Sequence, residues 1–202
     1  MKYGMAFFVL FAGAGLDGFA SAANLVQNPD FDTDASGWSV QTVGTASASA
    51  LAVDGSPAAG SVELTATGNG LDNSSVSIEQ CITVIGPGPW VLGGRIRQIT
   101  PATDFIIGLS VDFLAMPNCG AGQTVFTYAT AGAAVPGVQG TYTQYSGSVL
   151  TDPMPGGGPT RSVLIAFRLD AGVVSTSTFR LDHVYFGPQG TTPVDLTRFE
   201  VQ

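Results

Sequence analysis

Few side chains in this sequence are able to do covalent chemistry, and their numbers bound what that chemistry is. There are two cysteines, Cys81 and Cys119, and one histidine, His183. A Ser-His-Asp or Cys-His arrangement would have to use His183, which stands beside Asp182 in an alternating stretch, and no G-x-S-x-G exists to raise a nucleophile. Two Cys and one His do not close the four-ligand shell of a structural zinc. Asp112, Glu63 and Glu79 fall on alternating segments, where paired carboxylates would suit glycoside hydrolysis, but a chain with 15 acidic residues forms such pairs by chance. The glycines Gly156 to Gly158 lack the strand-to-helix setting of a phosphate loop. No enzymatic activity is expected. What remains are groups that bind: the rings of Tyr128, Tyr142 and Tyr145, and the guanidinium groups of Arg95 and Arg97 on the polar parity of their segment. Tyr142 and Tyr145 have opposite parity, so one unbroken strand cannot turn both to the same face. Trp38 and Trp90 are assigned to packing.

Strands must position these groups. Charged residues are 11% of the chain, and Gly (27) and Pro (12) are abundant, so Ser, Thr, Gly and Asn fill the places that a wet helical face gives to Lys, Glu, Arg and Gln. Alternating segments run over Ser61 to Ala66, Val76 to Val84, Leu92 to Ile99, Ile106 to Leu114, Val125 to Tyr128, Tyr145 to Leu150, Val163 to Leu169 and Thr178 to Phe186. Turns such as Gly86-Pro87-Gly88-Pro89 and Pro153 to Pro159 separate them. Thr45 to Ala52 and Ala129 to Gly140 are low-complexity stretches, expected as loops or edge strands. Many short strands, each burying one face, are satisfied at this length by two facing sheets. The expected fold class is therefore all-β, an antiparallel two-sheet β-sandwich of jelly-roll type. In the last segment Phe179 and Leu181 share one parity while Val184 and Phe186 share the other, the phase change that a β-bulge at Asp182-His183 makes.

Residues 1–22 read as a signal peptide: Lys2, an apolar run from Tyr3 to Leu16, and the small-residue cleavage site Ala20-Ser21-Ala22. The run is shorter than the roughly 20 apolar residues a bilayer span needs and is followed by Asp17, so no transmembrane segment is expected in the mature chain. One β-sandwich domain over 23–188 follows, and 189–202 form a C-terminal tail or an extra edge strand. The expected location is periplasmic or extracellular. In an oxidising compartment the isolated pair Cys81 and Cys119 is expected to be bridged. Cys81 is opposite in parity to Ile78, which points its sulfur away from that apolar row. A net charge of −8, with Lys2 the only lysine, leaves no clustered cationic surface for nucleic acid.

The opening NLVQNPDFDTDASGW, Asn24 to Trp38, and the closing FRLDHVYF, Phe179 to Phe186, resemble the first segment and last strand of carbohydrate-binding modules of the family 4 and 9 type, which are galactose-binding-like jelly rolls. Between them, Asp54 to Gly68, Ile78 to Arg97 and the Asn118-Cys119-Gly120 turn resemble uncharacterised secreted bacterial proteins of that superfamily, in which a Gln-Cys strand pairs with a later Cys-x-Gly turn. The resemblance spans about Asn24 to Gly187. It implies a secreted, non-catalytic protein that binds an envelope or extracellular polysaccharide, its rings stacking on sugar faces while polar groups satisfy hydroxyls. Arg97, Tyr128 and Tyr145 are the ligand contacts expected on that basis. The resemblance also implies a structural calcium ion held by Asp30, Asp32, Asp54 or its loop, and Asp182, with His183 standing where a second acid is usual. Two other readings stay open: a structural or adhesive surface protein that uses the jelly roll as scaffold, and a sensor or accessory subunit for another ligand.

Overall fold

The structure is a computed structural model that describes residues 24–57, 59–84, 88–100, 104–120, 124–132, 140–146 and 160–188, with side chains except at 124–132 and 145–146. The segment read as a signal peptide and the C-terminal tail lie outside the described residues. The described residues form ten strands in order: β1 (Ser39–Val43), β2 (Thr45–Leu51), β3 (Ser61–Thr67), β4 (Ser74–Thr83), β5 (Trp90–Gln98), β6 (Phe105–Leu114), β7 (Thr124–Gly132), β8 (Thr143–Ser146), β9 (Ser162–Ala171) and β10 (Thr176–Pro188). One 3-10 turn, Pro117–Cys119, precedes β7. Sheet I has the order β1-β4-β9-β6-β7 and sheet II the order β2-β3-β10-β5-β8, with every described pairing antiparallel. Among the described residues no helix is long and apolar enough to cross a membrane.

Period-two alternation decides which residues meet between the sheets. Val76 and Ile78 of β4, Ile165, Phe167 and Leu169 of β9 and Leu109 and Val111 of β6 face Val62 and Leu64 of β3, Phe179 and Leu181 of β10 and Leu92 and Ile96 of β5 in one core. Both tryptophans serve packing, as expected. Trp90 is buried and stacked on Phe186 at 5.4 Å between ring centroids, while Trp38 lies 5.4 Å from Phe31 and donates from Nε1 to the Asn28 carbonyl. Two polar side chains, Ser74 and Gln80, sit in the inner row of β4. Gln80 is buried because its amide accepts from the Gln27 N–H at 2.8 Å and donates to the Gln27 and Gly37 carbonyls, which ties the N-terminal segment to sheet I.

The strand preceding Thr45 was not expected from the sequence. β1 and β2 are one extended stretch that changes sheets at Gly44, where φ is +68° and a Cβ would stand 2.5 Å from Ser74 Oγ. β1 forms an edge of sheet I and β2 an edge of sheet II, so the stretch closes one side of the sandwich. The bridge between Cys81 and Cys119 is present, with Cα atoms 5.9 Å apart, on the outer side of β4. The expected bulge is also found: between Asp182 and Tyr185 the ladder advances three residues along β10 against two along β5, and His183 takes φ +48°.

Candidate ligand face and the junction beside it

The outer face of sheet II gathers three arginines, Arg95, Arg97 and Arg180. Cross-strand register aligns Glu63 of β3 with Arg180 of β10 and Arg180 with Arg97 of β5; one step along, Asp182 lies opposite Arg95, and Arg95 opposite Gln144 of β8. Asp54, from the turn after β2, reaches into this row. Its carboxylate accepts from Arg97 Nη1 at 2.8 Å and pairs with Arg180 Nη1, while Arg180 also holds Glu63 at 2.9 Å. The Tyr142 hydroxyl donates to the Asp54 carbonyl at 2.7 Å, and the Arg97 guanidinium lies 5.7 Å from the centre of the Tyr142 ring. Arg95 donates to Ser56 Oγ at 2.9 Å. Three guanidinium groups thus alternate with the carboxylates of Asp54, Glu63 and Asp182. The side chains of Arg97, Asp54, Glu63 and Arg180 keep between 18% and 33% exposure, so the row is shielded but reachable from solvent. Arg97 Nε is buried without a hydrogen-bond partner among the described residues. Burial raises the Tyr142 and Tyr185 hydroxyls above the usual phenol value, which keeps both as donors across the ordinary pH range.

Beside this face three segments meet. The Val184 N–H donates to the Pro29 carbonyl, the Leu25 N–H to the Phe186 carbonyl, and Asn24 bonds Val184 and Phe186 through its side chain. Gly60, at φ +121°, passes so close to the N-terminal segment that a Cβ there would stand 2.6 Å from Phe31 O and Asp32 Cα and 2.8 Å from Asp30 O. His183 Nδ1 is hydrogen-bonded to Asp30 Oδ1 at 2.6 Å. Asp182 is fully buried, and its two oxygens accept backbone N–H groups from Ser56 at 2.5 Å and His183 at 2.6 Å. Burial is the dominant cause that pushes its carboxyl up to about 6, against the lowering effect of those two N–H groups.

The residues foreseen for ligand and metal are therefore distributed as follows. Asp30, Asp32 and Asp182 come to one junction through the N-terminal segment and the bulge. Asp54 does not join them, because two arginines draw it to the sheet face. Among the described residues no three His, Cys, Asp or Glu side chains lie close enough together to hold an ion by themselves. Arg97 is on sheet II, whereas Tyr128 is on β7 of sheet I, paired with the core residue Val111. Tyr145 pairs with Gly94, in register with the inner row of β5, and Tyr142 is the ring that meets Arg97. The possible carboxylate pairs are scattered: Glu63 is on sheet II, and Glu79 and Asp112 stand two strands apart on sheet I. Arg180 and Glu63 were not foreseen as partners. Arg180 shares the polar parity of Thr178 and Asp182 in β10, but only the register with β3 and β5 reveals what it pairs with.

No protein-family model matches this chain, and no curated protein matches it. Solved structures do. The enzymatically active domain of bacteriophage CBA120 tailspike protein 4 superposes with a TM-score of 0.58 at 19% identity over 81% of this chain, which spans only 21% of that chain. The module TmCBM61, solved in complex with beta-1,4-galactotriose, gives 0.54 at 13% identity over 83% of this chain and 99% of its own. The CBM22-1 xylan-binding domain from Paenibacillus barcinonensis Xyn10C gives 0.51 at 14% identity over 82% and 94%. The fold is the jelly roll of the carbohydrate-binding modules.

Proposed function

We propose that the protein is a non-catalytic, exported saccharide-binding module that takes an envelope or extracellular polysaccharide on the outer face of sheet II. The observation that carries this reading is the partly exposed row Glu63, Arg180, Asp54, Arg97 and Tyr142. A sugar hydroxyl both donates and accepts, so alternating guanidinium and carboxylate groups beside a ring offer complementary partners. Support for the class comes from the fold shared with modules named for galactotriose and xylan. A glycan array followed by affinity electrophoresis tests it. A retarded polysaccharide should lose about 1 to 3 kcal/mol of binding with Tyr142→Ala, roughly five- to 150-fold in Kd. No retardation on any polysaccharide overturns it.

One observation favours the scaffold reading instead. Tyr185 and Asp182, on this same face, are almost wholly buried, and Ser56 lies against Asp182, so part of the face is covered. A protein silent on glycans yet unchanged in fold would be a structural or adhesive surface protein.

We further propose that the junction takes calcium. The donors fit in kind, being hard oxygens: Asp30 and Phe31 carbonyls that crowd Gly60, the Asp32 carboxylate, and the Asp182 carboxylate, buried and held by the backbone N–H groups of Ser56 and His183. The ion would supply no chemistry beyond pinning the N-terminal segment to β10, and Asp30 would have to release His183. Melting with excess EDTA and then with calcium decides it. A calcium-dependent rise in Tm that Asp182→Ala abolishes is expected, and an unchanged Tm refutes it.

A further inference from the structure

A sheet edge is a template for another strand, because it presents a row of N–H and C=O groups without partners, and proteins ordinarily guard it with charge, proline or a bulge. β2 has none of these. From Ala35 to Val53 the sequence carries no charged residue and no proline, in a protein of net charge −8. Among the described residues β2 pairs only with β3, in regular register over all seven residues, and no bulge interrupts it. Its outward residues Ser47 and Ser49 are exposed. Three of the seven large apolar side chains exposed among the described residues, Val40, Val43 and Val53, flank it.

We propose that β2 pairs with β2 of a second copy of this chain, antiparallel about a two-fold axis at Ala48, to give a dimer whose two copies of sheet II are continuous. The choice of partner rests on charge and register. Acidic copies repel one another wherever their carboxylates approach; β2 lets two copies meet without that, and among the uncharged edge strands it is longer than β8 and, unlike the β6–β7 pairing, its ladder has no register shift. An isologous pairing centred on Ala48 sets Ser47 opposite Ser49 and Thr45 opposite Leu51. Just outside the two ends of β2, Val43 and Val53 are 63% and 86% exposed in the single chain, apolar surface that a second copy would cover. The pairing needs neither a saccharide nor calcium, so it stands apart from the reading above.

Light scattering or sedimentation of the purified protein across a concentration series at high and low salt tests it. The mass should double with concentration, and more readily at high salt, where repulsion between the acidic bodies is screened. The double variant Ser47→Lys with Ser49→Lys sets like charges opposite each other and should stay monomeric, as should Ser47→Glu with Ser49→Glu. An equimolar mixture of the two should restore a dimer holding one copy of each. Ala129→Lys, on the opposite edge strand β7, should dimerise like the parent. A parent that remains monomeric to its solubility limit overturns the proposal, as does a Lys variant that still dimerises, a mixture that does not, or loss of the dimer with Ala129→Lys.

Discussion

Asp182 has the most perturbed ionisation described in this chain, and the perturbation has a sign that can be followed. Its carboxyl is raised from 3.8 to about 6 because burial disfavours the charged form more than the Ser56 and His183 N–H groups favour it. A group whose folded pKa exceeds its unfolded one contributes stability that is complete below the unfolded value and is lost as pH rises through the folded value. Between pH 4 and pH 7, in the absence of divalent ions, Asp182 should therefore remove stability on the order of 3 kcal/mol. Asp182→Asn cannot titrate. Denaturant midpoints of the two proteins measured across that range should converge toward low pH, with the parent losing ground to the variant as pH rises. Calcium inverts the expectation, since an ion at the junction holds the carboxylate charged. With calcium present the parent should instead gain on the variant toward neutral pH. A difference between parent and variant that is independent of pH, with and without calcium, would show that neither proton nor ion governs this residue.

At the scale of elements, what was legible in the sequence followed from burial of one face. β3, β4, β6, β9 and β10 declare themselves by period two because the core demands it of every second residue. The bulge shows as a change of phase at Asp182-His183. β1 is exposed at all five residues, so no core imposed an alternation that could be read. Cross-strand partners were illegible for a different reason. That Tyr145 meets Gly94 and that Arg180 lies between Glu63 and Arg97 depend on registers fixed by the whole sheet, and the loop bearing Asp54 follows the arginines, not its neighbours in sequence. Two elements can be tested directly. The Cys81–Cys119 bridge closes a separation of 38 residues, and its reduction should cost about 3.5 to 4 kcal/mol by loop entropy while leaving the strand signature in circular dichroism. Gly60→Ala adds a Cβ between two backbones at positive φ, where neither the Phe31 carbonyl nor Asp32 Cα has room to yield. It should destabilise by roughly 1 to 3 kcal/mol and release the N-terminal segment to proteolysis ahead of global unfolding. Equal protection in parent and variant would refute that coupling.

For the whole molecule, the question is whether two sheets, a sheet-crossing strand pair and a docked N-terminal segment unfold as one. The core argues that they do, because its side chains belong to both sheets at once. Phe167 of β9 is fully buried; its ring lies edge-on to Trp38 at 6.5 Å, and its Cε1 stands 3.5 Å from where a Cβ on Gly94 of sheet II would be. The chain has two tryptophans, and they report from different places: Trp38 from the N-terminal segment against sheet I, Trp90 from β5 in sheet II, stacked on Phe186. Trp38→Phe and Trp90→Phe each leave a single probe. Denaturant unfolding followed by fluorescence should give each variant one transition that coincides with its own circular dichroism transition, as all-or-none unfolding requires. Phe167→Ala, placed in each background, should lower the stability seen by the remaining tryptophan by the same amount, about 3 to 5 kcal/mol, because the cavity opens in a core that both sheets share. A loss confined to the Trp38 signal, with Trp90 unmoved, would mean that the N-terminal segment and sheet I form a cooperative unit of their own.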